Sequence, residues 1–122
     1  MVTESPEAYL RNAPEIGRPW LTEFWSYVDE RAPRLSPIMF RQVPMYRFFD
    51  SYQKGYVMFT AAKDHFATHA IDFDLIAQAQ ADIPGAKGGK GNVAVKYSNV
   101  DAKPALKVLI DTVLERHGFL GP

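Results

Sequence analysis

The apolar positions of this chain change period along its length, and the changes mark out its elements. From Pro19 to about Arg31, Trp20, Leu21, Phe24, Trp25 and Val28 recur at the three-and-four spacing of a helix face, while Glu23, Asp29 and Glu30 point elsewhere. Pro33 stops this helix. Ahead of it, residues 4–12 (ESPEAYLRN) predict a short helix, with Ser5 as N-cap, Pro6 at the first helical position and Glu7 at the positive end. Pro14, Gly17 and Pro19 break the chain between the two. Ser36-Pro37 reads as the cap and first turn of another short helix reaching Phe40 or Arg41.

In the middle of the chain the period shortens to two. Val43 to Phe49, Tyr56 to Ala61 and His65 to Ile71 are short runs rich in aromatic and β-branched residues, the composition that strands favour. DSYQKG, with Gly55, joins the first two, and Lys63-Asp64 closes a tight hairpin between the second and third. A helix follows from Asp72 to Ala81. After the loop IPGAKGGKG, Asn92 to Tyr97 alternates apolar with polar as a fourth strand. The chain closes on a helix capped by Asp101, with Leu106, Leu109, Ile110, Val113 and Leu114 on one face and Gly118 at its C-terminus. The order predicts an α+β fold, an antiparallel sheet of about four strands covered on one face by helices.

At 122 residues the chain predicts a single domain, 1–122, long enough to bury a core without disulfides or metal. Fourteen basic residues balance fourteen acidic ones, so no net field draws in nucleic acid or an anionic membrane. Cysteine is absent, which excludes a thiolate nucleophile, a cysteine zinc site and a cysteine-held iron–sulfur cluster. The amino end lacks the basic-then-apolar layout of a signal peptide, and no run approaches the roughly 20 apolar residues of a membrane span. Cytoplasmic localisation is the expectation.

Three segments carry a resemblance. VPMYRF (43–48), GYVMFTAAKDHFATH (55–69) and GGKGNVAVKY (88–97) resemble the bacterial YdhG-like family, a small domain of largely unknown function. Pro44 and Tyr46 match its Met-Pro-x-Tyr-like motif, with Val43 where the family commonly has Met; Lys63, His65, His69 and Gly88 to Gly91 match more closely. Similarity extends through the helix near Trp20 and the closing helix. The resemblance implies an α+β fold of this element order. One branch of the family is described as an intracellular iron chaperone with a frataxin-like role, so iron is the cofactor or cargo it suggests.

The residues themselves leave the chemistry open. His65 and His69 would share a helix face and could clamp one metal ion there. On a strand, four residues span roughly 13 Å at 3.3 Å each, too far for a chelate. His69 with Asp72 or Asp74 remains a candidate metal site, with His65 as an alternative ligand. The competing reading makes Asp72 the N-cap of the next helix and places Asp74 in its positive first turn. The helices do not gather the converging oxygens a hard cation needs: Glu4, Glu7 and Glu15 are interrupted by Arg11, and Glu23, Asp29 and Glu30 lie beside Arg31 and Arg34.

GAKGGKGN could curl around an anion with help from Lys87 and Lys90. It lacks the Ser or Thr and the following helix of a phosphate-binding P-loop, so a connector with solvated lysines competes with that reading. Tyr46, Phe48, Phe49, Tyr52, Tyr56, Phe59 and Phe66 form a dense aromatic group, and helices can cover only one face of the sheet that holds it. No nucleophile elbow, HExxH or paired-carboxylate spacing announces catalysis. The expectation is a non-enzymatic binding domain. It is either a weak iron or divalent-metal carrier, or a small-ligand or protein-interaction module whose face includes Tyr46, Tyr56, Lys63 and Lys90, working as a monomer or homodimer.

Overall fold

The strongest periodic signal, the stripe from Trp20 to Val28, becomes the centre of the core. The computed structural model describes residues 5–120, so Glu4 lies outside the described residues. Ser5 caps α1 (Pro6–Asn12), its Oγ accepting from the Ala8 backbone N–H at 3.1 Å. A single 3-10 turn (Glu15–Gly17) leads into α2 (Arg18–Arg31), which buries Trp20, Leu21, Phe24 and Val28. Phe24 meets Phe66 at 5.0 Å and Phe59 at 5.6 Å between ring centres, fixing α2 across the middle of the sheet.

Five antiparallel strands form the sheet in simple meander order: β1 (Ile38–Phe40), β2 (Val43–Arg47), β3 (Tyr56–Ala61), β4 (His65–Ala70) and β5 (Asn92–Lys96). The fifth strand is a correction, because β1 occupies the place of the short helix expected after Ser36-Pro37. A proline that opens a helix can equally open an edge strand. The turn that pairs β1 with β2 is Arg41-Gln42, both at positive φ (50° and 69°). Such primed turns normally announce themselves with Asn or Gly, and here neither is present.

α3 (Phe73–Asp82) and α4 (Lys103–Arg116) complete the helices. α4 buries the five apolar residues expected of it, but Asp101 does not cap it. Asp101 sits in a 3-10 turn, Val100–Ala102, and the N-cap position falls to Ala102. The C-terminus follows expectation: Gly118 (φ 81°) donates to Glu115 O and Phe119 to Leu114 O, the paired bonds of a Schellman motif.

All of this packing falls on one face of the sheet. Tyr46, Val57, Phe59, Phe66, Val93 and Val95 join a single core cluster with residues of α2, α3 and α4. Met45 and Ala67 are just as buried, at 1% and 4% exposed, yet stand outside that cluster on the opposite face. Among the described residues, no helix is long and apolar enough to cross a membrane.

Candidate functional site

Strand register defines the uncovered face, because alternate residues of a strand share one side. One row crosses all five strands: Ile38, Met45, Met58, His69, Asn92. The next row is Thr60, Ala67, Ala94, and beyond Ala94 the loop after α3 adds Lys87 through an isolated antiparallel bridge. A third row pairs His65 with Lys96. His65 and His69 therefore share this face but are separated by the Ala67 row, and they do not converge on one point.

At the β5 end lies a cavity of about 300 Å³, lined by His65, Lys87, Lys96, Ala94 and Gly85, with Asp64 at its rim. The Asp64 carboxylate is hydrogen-bonded to His65 Nδ1 at 2.8 Å, and this bond holds it below the ordinary carboxylate range. Neither Lys87 nor Lys96 has an ion-pair partner among the described residues. Of the lysines singled out in the sequence, Lys87 lines the cavity, Lys63 is exposed in the β3–β4 turn, and Lys90 lies 4.9 Å above the Phe73 ring. Beside Lys87, Lys96 occupies the place expected of Lys90. The signal for Lys96 was its polar position in an alternating strand, and only the loop's path selects Lys87.

His69 is half-buried between Met58 and Asn92 and shares a hydrogen bond with Thr60 Oγ1 at 2.9 Å. Burial pushes its pKa down to about 4, so the ring is neutral at physiological pH.

Asp72 and Asp74 are engaged elsewhere. Asp72 occupies the N-cap position of α3 but makes no capping bond with its side chain. Its carboxylate, 4% exposed, accepts from His117 Nε2 at 3.0 Å and Arg116 Nη1 at 3.2 Å. Asp74 accepts both Arg116 terminal nitrogens, at 2.9 and 2.8 Å, and the guanidinium draws its pKa down to about 2. The His117 ring packs on Phe48 at 4.9 Å and against Gly55, where a Cβ would come within 2.9 Å of the imidazole. Glycine at 55 is what lets this ring close over Asp72. Among the described residues, no group of three His, Cys, Asp or Glu side chains is placed to hold a metal ion.

The aromatic group divides between the two faces, because Tyr46 pairs with Val57 and so points opposite to Tyr56. Tyr46 is buried, donates to Asp29 Oδ1 at 2.9 Å, and lines a cavity of about 280 Å³ with Pro44 and Trp25 on the helix side. Burial, then the Asp29 hydrogen bond, pushes its phenol pKa up. Tyr56 belongs to the open side, in a chain of rings with Tyr52 (6.5 Å) and Phe40 (5.1 Å from Tyr52). The expected aromatic face is thus Phe40, Tyr52 and Tyr56, without Tyr46.

Comparison with solved structures decides the fold. A Bacillus subtilis protein of the DUF1801 family, YdhG, superposes with a TM-score of 0.66, covering 90% of this chain and 89% of its own, at 20% sequence identity. The chain has the YdhG-like fold. No protein-family model matches the sequence, and no curated protein does. In this YdhG-like fold the residues carrying the resemblance serve different parts. Pro44 and Tyr46 line the cavity under α1 and α2, whereas His65, His69 and the glycine loop border the open face.

Proposed function

We propose that this YdhG-like protein is a non-catalytic binding domain that takes a small ligand on the open face of its sheet. The observation supporting this is the one-sided packing: the helices bury one face, while the other carries the row Ile38, Met45, Met58, His69 and Asn92 and, beyond the Ala67–Ala94 row, a cavity lined by His65, Lys87 and Lys96. Cavities with apolar walls and a few convergent polar groups are the usual form of small-molecule sites.

The iron-carrier role implied by the resemblance finds less support in the side chains. Iron at Asp72 or Asp74 would compete with Arg116 and His117, and Glu23 is already paired with Lys103 and Lys107 at 2.8 and 2.9 Å. Such a role would have to use His69, which is neutral and half-buried, or the alternative His65, whose Nδ1 is already bonded to Asp64.

Two measurements on the same protein test the proposal. Fragment titrations followed through the methionine and valine methyl signals should shift Met58 and leave Val57 and Val93, on the covered face, unmoved. Native mass spectrometry after anaerobic addition of ferrous iron should show no stoichiometric adduct. An adduct that disappears in His69→Ala would replace this reading with the carrier, and fragment shifts confined to Val57 and Val93 would overturn it.

A further inference from the structure

We propose that the cavity between His65, Lys87 and Lys96 is a site for the phosphate group of a small phosphate monoester. The inference rests on the open face being the binding surface and names the chemistry of its polar end.

The glycine loop is built to place a lysine there. Gly88 adopts φ 122°, and a Cβ on it would fall 2.3 Å from the Asn92 carbonyl oxygen, so the chain can reverse this tightly only with glycine. The reversal brings Lys87 against Ala94, where the two residues exchange both backbone hydrogen bonds at 2.8 Å. A solvated connector would have no such fixed register. Lys87 is thereby set opposite Ala94 and diagonal to Lys96, two residues further along β5. Diagonal neighbours across an antiparallel pair lie about 7–8 Å apart, within reach of two lysine side chains turned toward one point. His65 faces Lys96 directly on β4.

The charges then call for an anion. Like charges at adjacent cross-strand positions repel, and nothing among the described residues neutralises these lysines by direct pairing. The one carboxylate at the cavity, Asp64, is bonded to His65 Nδ1. Nε2 of the same ring makes no hydrogen bond among the described residues.

A phosphate monoester carries about −1.5 to −2 charge near neutral pH and matches two ammonium groups, whereas a carboxylate matches one. Lysine serves phosphate as a point charge without demanding planar geometry. A volume of about 300 Å³ sits at the small end of ligand sites, suiting a compact organic phosphate. Ala94 and Gly85 keep the walls free of bulk, and the row of Asn92, His69 and Met58 continues the surface for the organic part.

The test is a titration of ¹⁵N-labelled protein with phenyl phosphate, inorganic phosphate and acetate, repeated in Lys87→Gln and Lys96→Gln. Both lysines are exposed, so both variants should keep the fold. The expected result is saturable shifts of residues 65, 87, 94 and 96 with either phosphate, weaker binding of acetate, and at least a tenfold loss of phosphate affinity in each variant. Three results would overturn the site: shifts that never saturate, phosphate binding untouched by both substitutions, or acetate binding as tightly as phosphate. Neutral fragments in the same samples separate the two claims. If they still shift Met58, only the phosphate site has failed; if they do not, the open-face reading has failed with it.

Discussion

The two ends of β4 carry polar clusters of opposite character. Just past its C-terminal end, Asp72 and Asp74 are held by Arg116 and His117, and Phe48 and Gly55 close over the imidazole. At its N-terminal end, His65 stands beside Lys96 and Lys87 around a cavity, and the lysines have no ion-pair partner among the described residues. Both clusters contain residues that a sequence search for chemistry would select. The first has its hydrogen-bonding capacity taken up within the fold and serves to join the end of α4 to the start of α3. The second leaves charge facing a cavity, which is what a binding site requires.

His69 lies between the clusters and gives the largest expected effect. Its folded pKa of about 4 is below the unfolded value of 6.5, so the unfolded chain takes up the proton first. The stability linked to its neutral form is present above pH 6.5 and is lost as pH falls toward 4. A shift of this size corresponds to about 3 kcal/mol. Urea denaturation across that range should show the loss in the native protein, and His69→Gln should lack this component. Equal pH dependence in both would show that the ring is not sheltered.

Asp72→Ala removes the buried acceptor shared by His117 and Arg116, and should cost about 2–3 kcal/mol in chemical denaturation. Phosphate affinity at the other end of β4 should not change. Asp74→Ala removes an exposed partner of the same arginine and should cost less than about 1 kcal/mol. If the two substitutions proved equally costly, the cluster would not be closed around Asp72 in the way its geometry indicates.

At the open end the order reverses, with little effect on stability and a large one on binding. Ala94→Leu should fill the cavity and abolish phosphate-induced shifts while changing stability by no more than about 0.5 kcal/mol, as is usual for partly exposed positions. Lys90→Gln should leave both properties as they were, because Lys90 lies over Phe73 and does not line the cavity. Retained phosphate binding in Ala94→Leu would mean that the anion sits elsewhere.

Much of the fold was legible. α2 and α4 follow from helical periodicity, the Ser5 cap and the Gly118 terminus from local capping chemistry, and β3 and β4 from alternation around Lys63-Asp64. β1 was misread because its turn, Arg41-Gln42, reaches positive φ without the residues that signal it. The site was less legible. Asp72 stands at the N-cap position the sequence indicates, yet its carboxylate turns to a histidine 45 residues away. Tyr46 and Tyr56 both belong to the aromatic group, but the β2–β3 register sends them to opposite faces.

By itself, then, the sequence determined where the helices and every strand but β1 form, and which of their faces are apolar. Those properties depend on neighbours within a turn or two of the chain. The tertiary structure alone decided which face of the sheet stays open, which carboxylates are taken up by distant cations, and which lysine of the glycine loop reaches the cavity. Those outcomes depend on partners brought together by strand register and helix docking, and no local pattern encodes them.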